Sequence, residues 1–184
     1  MALAFEFLGW PDDGPTLRLD YRRFAYAGKF VMSSTGKAVA REDGEVVAAL
    51  AFNADRTDSS TCWLRYVTVR EDRRGEGIGP RLVEFARAEI DGRYERLKIA
   101  VNNPFAYEAL YKGGFGFTGE ETGIAELVLA RPPPDGRSAE RYREGLDRFR
   151  ERELSDAEER FLVEREDASP PPVEHSPTDS SAGD

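Results

Sequence analysis

The chain has 184 residues, room for one domain with a full hydrophobic core and an appendage. Its 40 % apolar residues fit an ordinary soluble protein, and no apolar run approaches the ~20 residues of a membrane span. A single cysteine, Cys62, excludes an intramolecular disulfide and a cysteine-based metal cluster. The net charge of −9 is unevenly placed: from Ser138 onward fourteen acids face seven bases, whereas residues 1–137 carry twenty-one acids and nineteen bases. A nearly neutral body beside an acidic C-terminal segment argues against non-specific binding of nucleic acid or of an anionic membrane. The opening MALAFEFLGWPDDG is too short and too acidic for a signal peptide, so a cytoplasmic location is expected.

In chain order, AFEFLGW (4–10) reads as a short strand closed by the turn-rich PDDGP. Leu17, Tyr21, Phe24 and Ala25 recur at helical spacing, with Gly28 as a stop, and this predicts a short helix. KAVARE and EVVAALAF, joined by Asp43-Gly44, predict a hairpin with a type I′ turn. CWLRYVTV (62–69) is a third strand. After a glycine-rich loop comes the helix RLVEFARAEI, with Leu82, Phe85, Ala86 and Ile90 on one face. LKIAV (97–101) predicts a strand, and AYEALYKG a helix ended by Gly113 or Gly114. FGFTGE and AELVLARP are two more strands, so the order makes a mixed α/β fold. Past Pro132-Pro133-Pro134, Tyr142, Leu146 and Phe149 mark an amphipathic helix from about Ser138, and a capping box at Ser155–Glu158 starts another. The expected divisions are a domain over 1–132, a helical extension over 133–166 and a disordered acidic tail over 167–184. His175, the only histidine, falls in that tail and is assigned no catalytic role.

The stretch RRGEGIGPRL (73–82) holds glycines at 75, 77 and 79 among arginines, between a strand and a helix. Such a loop suits an anion, because glycines let backbone N–H groups approach it and the helix dipole adds positive potential. Pro80 fits the first turn, and Arg73, Arg74 and Arg81 are candidates for charge-assisted bonds to phosphate. A P-loop is excluded because no Lys-Ser or Lys-Thr follows, and the spacing and position fit a dinucleotide fold poorly.

VTVREDRRGEGIG resembles the acetyl-CoA-binding motif of the GCN5-related N-acetyltransferases, Arg/Gln-x-x-Gly-x-Gly/Ala, filled by Arg74, Gly77 and Gly79. NPFAYEALYKGGF resembles the family's second signature at Asn103, Ala106, Leu110 and Tyr111; its Gly-Phe falls one residue early on Gly114-Phe115, or in register on Gly116-Phe117. The resemblance covers about residues 4–132. It implies a twisted mixed, mostly antiparallel sheet flanked by helices, and an N-acetyltransferase that uses acetyl-CoA as co-substrate and no metal. By the same resemblance the backbone of Val67, Thr68 and Val69 pairs with pantetheine, and the loop Arg74, Gly75, Glu76, Gly77, Ile78 and Gly79 holds the pyrophosphate. Asn103 and Ala106 also face the cofactor. Tyr111 protonates the leaving thiolate as general acid. The acceptor is a primary amine that attacks the thioester directly, and the chain is a monomer or a homodimer.

Two departures from the family follow. Residues 59–70 and 97–107 contain no carboxylate to serve as general base; Trp63 and Lys98 stand where one is expected, leaving a water relay or Asp58, Glu120 or Glu121. Fewer than thirty residues separate the first two strands, too few for the family's two acceptor-side helices. An open groove suits a peptide acceptor; the C-terminal helices or a second subunit are the other ways to complete it. Two functions compete with acetyl transfer: a non-catalytic acyl-CoA-binding or interaction module, and a nucleotide-phosphate-binding regulator.

Overall fold

The computed structural model describes residues 2–133 and 136–174. They comprise seven strands and four α-helices in two compact units, Met1–Leu97 and Lys98–Asp184. Four neighbouring strand pairs are antiparallel, as the mixed α/β class with mostly antiparallel pairing expects.

The first unit contains β1 (Ala4–Gly9), β2 (Gly36–Glu42), β3 (Glu45–Ala54), β4 (Thr61–Val69) and α1 (Ile78–Ile90). The four strands are neighbours in that order. Asp43 and Gly44 have φ of 54° and 82°, the two left-handed positions that a type I′ turn needs, and the expected hairpin joins β2 to β3. Between β3 and β4, Ala51 pairs with Tyr66 and Phe52 with Leu64, so Arg65 is an extra residue that bulges β4. α1 buries Ile78, Leu82, Val83, Ala86 and Ile90, and Phe85 stacks on Phe5 of β1 at 5.5 Å. Phe30, Val39, Ala49 and Ala51 form a second cluster, with Leu17, Leu19 and Tyr66 packed on it.

The helix expected between β1 and β2 does not form. The segment makes turns and a short 3-10 helix at Ala27–Val31, and Tyr21 is 82 % exposed. Leu17 and Leu19 both reach the Phe30 cluster, which an extended chain allows and a helix does not. Asp20 accepts the Arg22 backbone N–H at 2.9 Å, a local bond that competes with helix. The segment is fastened by Lys37, fully buried on β2, whose ammonium donates to the carbonyls of Pro15 (2.5 Å), Met32 (2.7 Å) and Thr35 (3.1 Å) and to Thr35 Oγ1 (2.9 Å).

β5 (Arg96–Val101) leads into the second unit, followed by α2 (Pro104–Lys112), β6 (Gly116–Glu121), β7 (Leu127–Arg131), α3 (Ala139–Arg150) and α4 (Asp156–Val163). Gly113 ends α2, as expected. Ser138 and Ser155 cap α3 and α4 through their side chains, the latter in a complete capping box with Glu158. α3 packs on β6 and α4 on α2, and Tyr142, Leu146 and Phe149 are buried within this unit. The expected disorder from residue 167 differs over its first part. Arg143 donates to the carbonyls of Asp167 and Ala168 at 3.0 Å each, Arg137 to that of Pro171 at 2.8 Å, and the Glu174 N–H bonds to the Lys112 carbonyl at 2.7 Å. Arginine side chains and one backbone bond thus hold this stretch. Residues 175–184, His175 among them, lie outside the described residues.

Candidate functional site

In the first unit β4 ends at Val69 and runs through a 3-10 turn (Glu71–Arg73) into the glycine loop. Gly75 and Gly77 have φ of 84° and 77°, and a Cβ built on either meets nothing within 4 Å. These two glycines are therefore required by backbone conformation, and the space above them is open. Gly79 differs: it sits inside α1 with ordinary φ, and its Cβ would touch Val69 at 3.4 Å. Gly77 is the N-cap of α1, no side chain caps the helix, and no acid stands in its first turn. The amides of Ile78 and Gly79 thus have no intrahelical acceptor, and Pro80 carries no N–H. Dipole and donors together favour an anion at this end.

The arginines divide in role. Arg73 is engaged, with Nη2 2.9 Å from Glu42 and Nε 2.9 Å from Glu76, and both carboxylates hold its pKa above the ordinary value. The expectation that Arg73 bonds to phosphate meets this competing occupation. Arg74 is exposed and its Nε donates to the Val69 carbonyl at 3.4 Å, while Arg81 lies over the Phe5 ring at 5.3 Å. On β4, Val67 and Val69 are half-buried; Thr68 is buried, and its hydroxyl has no partner among the described residues.

In the second unit Asn103 is the N-cap of α2, and its side-chain oxygen accepts the Ala106 N–H at 2.8 Å. Its amide nitrogen donates to Asn102 at 3.3 Å. Tyr111, on the same helix, is fully buried, and its hydroxyl oxygen accepts the Phe117 N–H at 2.9 Å. Burial raises its pKa above the usual phenol value, partly offset by that amide bond. Arg137 donates to the Tyr111 carbonyl at 2.6 Å and places its guanidinium 5.3 Å from the ring centre. Ala106 and Tyr111 therefore share the expected helix, and Asn103 stands at its head as the N-cap.

Residues 3–117, more than half of the chain, match the family model described as the Acetyltransferase (GNAT) family. The chain belongs to this family. Among solved structures it is similar to a GNAT family acetyltransferase from Elizabethkingia anophelis with acetyl-CoA bound: 16 % identity, TM-score 0.52, covering 70 % of this chain and 96 % of that one. A GNAT family acetyltransferase from Desulfovibrio desulfuricans gives 13 % identity, TM-score 0.52 and the same coverages. These likenesses show the fold. An acetyltransferase from Thermus thermophilus is 23 % identical at TM-score 0.47, over 53 % of this chain and 64 % of that one. This chain thus spans less than two thirds of that acetyltransferase's length. No curated protein matches the sequence.

The carboxylates expected as candidate bases are engaged to different degrees. Asp58 accepts the Ser60 N–H (3.0 Å) and the hydroxyls of Ser60 (2.6 Å) and Thr61 (2.8 Å), and these bonds lower its pKa. Glu121 is paired with Arg148 at 2.7 Å, and Glu120 is exposed. Sequence reading missed Asp55, which accepts the Thr57 N–H (2.8 Å), the Thr57 hydroxyl (2.9 Å) and the Trp63 indole N–H. Those donors hold its carboxyl far below the usual carboxylate range, which makes it a weak proton acceptor. The Asp55-Arg56-Thr57 turn was the available signal.

Proposed function

We propose that the chain is an N-acetyltransferase that moves an acetyl group from acetyl-CoA to the primary amine of a small molecule or peptide, by direct attack in a ternary complex. The observation that carries this reading is the cradle in the first unit. Two glycines there hold positive φ under open space, beside a helix N-terminus with neither a side-chain cap nor an acid in its first turn. The cradle fits a diphosphate, and Arg74 supplies a nearby exposed charge. In this reading the backbone of Val67–Val69 pairs with the pantetheine arm, and residues 74–79 hold the diphosphate. Asn103 and Ala106 belong to the cofactor side.

When the amine attacks the carbonyl carbon, the C–S bond breaks, the amine gives up a proton and the thiolate takes one. Tyr111 is the proposed donor of that second proton, and its raised pKa keeps it protonated at neutral pH. A water relay accepts the first. The acetyltransferase domain occupies residues 1–132, with a helical extension after it, in a cytoplasmic monomer or homodimer that binds neither nucleic acid nor membrane.

A second reading, a non-catalytic acyl-CoA-binding module, is favoured by one observation: Tyr111 has no exposed surface and its hydroxyl is already taken up by the Phe117 amide. Calorimetric titration of acetyl-CoA into the full chain, then thiol release with a panel of amines and peptides, separates the two. The enzyme reading expects binding, and CoA release that depends on an amine. Binding without release on any acceptor supports the module, and absence of binding removes both. Stabilisation by ATP or NAD in place of CoA would instead mark a nucleotide-phosphate binder.

A further inference from the structure

Glu76 stands between Gly75 and Gly77, so the loop that suits an anion carries a carboxylate at its centre. An anion bound there would meet a like charge unless Glu76 is neutralised. Arg73 does this at 2.9 Å through Nε, and with Nη2 it grips Glu42, near the end of the β2–β3 hairpin, also at 2.9 Å. The Arg73 side chain is 18 % exposed and that of Glu42 24 %, so the pair is screened less than an open surface bridge. Glu42 is held below the usual carboxylate range, first by its hydrogen bond to Arg73. The hairpin makes a second tie to the same segment. Arg70 reaches Glu45 at 3.3 Å and Asp72 at 2.6 Å, and the Glu71 N–H bonds to the Arg23 carbonyl at 2.8 Å.

We propose that Arg73 is a positioning residue for the anion cradle: it clamps Glu76 to Glu42, fixing the path of the loop and neutralising the carboxylate within it, and is not itself a phosphate ligand. A guanidinium suits the task because its fixed fork serves two carboxylates at once, which an ammonium cannot reproduce. The proposal rests on the reading of the glycine loop as a diphosphate site.

The test is CoA affinity by calorimetry on the full chain and on the variants Glu42→Gln, Arg73→Ala, Glu76→Gln and Arg73→Ala/Glu76→Gln, each with its ligand-free Tm. Glu42→Gln should weaken CoA binding several-fold and Arg73→Ala by about tenfold, the size expected for coupling through an ion-pair network. Adding Glu76→Gln to Arg73→Ala should recover most of that loss, because the uncompensated carboxylate has gone. A direct phosphate ligand predicts the reverse at Glu42: Glu42→Gln frees the arginine and binds CoA as well as wild type or better. That pattern would overturn the proposal and leave the diphosphate site standing. A wild-type chain that binds no CoA would remove the site and the proposal together. Glu42→Gln keeps the shape of the side chain, so it supports the comparison even where Arg73→Ala unfolds.

Discussion

The Tyr107 hydroxyl donates to the Tyr142 carbonyl at 2.9 Å, and a Cβ at Gly145, one turn along α3, would lie 2.1 Å from that hydroxyl oxygen. Glycine at 145 is thus what lets a buried tyrosine of α2 meet the backbone of α3. The ring cannot swing aside, because Tyr111, Tyr142 and Phe149 surround it at 5.0–5.8 Å. Gly145→Ala should destabilise the second unit by about 1–3 kcal/mol through overpacking, despite alanine's better helix propensity. A thermal melt with Tm at or above wild type would contradict this packing. Tyr107→Phe should not rescue it, since the ring carbon Cζ would still lie 2.5 Å from the added methyl.

Gly77→Ala separates binding from folding in the glycine loop. Nothing lies within 4 Å of the added Cβ, so the cost to the folded chain is that of holding alanine at φ 77°, about 1–2 kcal/mol. The methyl would stand in the space assigned to the diphosphate, so CoA affinity should fall by more than the change in stability implies. Calorimetry and a denaturant melt on the same sample check both halves. Equal CoA affinity in the variant would place the diphosphate elsewhere.

Lys37→Met tests what holds the segment between β1 and β2. The substitution conserves length and removes the donor shared by the carbonyls of Pro15, Met32 and Thr35. With acceptors left unpaired around a fully buried side chain, the expected loss is about 2–3 kcal/mol. Hydrogen exchange localises it: the Leu17 amide, bonded to the Phe30 carbonyl at 2.9 Å, should lose protection before the strand amides do.

What is legible in the sequence is what neighbouring residues determine. Asp43-Gly44 announces its turn because both positions need φ above zero, and Ser155–Glu158 announces its cap. The glycine loop is readable for the same reason at 75 and 77. The segment at 15–32 misleads, because Leu17, Tyr21 and Phe24 have helical spacing while the contacts that decide its path come from Lys37 and the Phe30 cluster. Arg73 reads as a phosphate ligand from its place beside the glycines; its partner Glu42 lies 31 residues earlier, beyond any local pattern. Tyr111 matches a motif, but no local pattern signals that its hydroxyl meets the Phe117 amide.

Asp55 makes stability depend on acidity. Bonds from Thr57 and Trp63 hold its folded pKa below the unfolded value of ~3.9, so the folded state favours the ionised form. Its contribution is present in full above about pH 4 and is lost as the pH falls through the depressed folded value. Asp55→Asn should therefore lose less stability than wild type between pH 7 and about pH 2.5. Denaturant melts at the two pH values give the comparison, and equal losses would mean that Asp55 keeps its carboxylate bonds in the unfolded chain.

Tyr111→Phe has two expected consequences that must be read apart. Removing the hydroxyl strips the Phe117 N–H of its acceptor in a buried place, which should cost about 1–3 kcal/mol whatever the chemistry. If Tyr111 also protonates the leaving thiolate, turnover at a temperature where the variant is fully folded should fall sharply, with the Kd for acetyl-CoA unchanged. The hydroxyl already accepts one bond and keeps its own proton to give, so the two roles are compatible. Full turnover by the folded variant would leave Tyr111 as a core residue serving the Phe117 amide, and the proton would have to reach the thiolate from water or another group. Loss of acetyl-CoA binding along with turnover would mean that the substitution disturbs α2, and Asn103→Ala at the head of that helix, which removes the cap on Ala106, should then reproduce the defect.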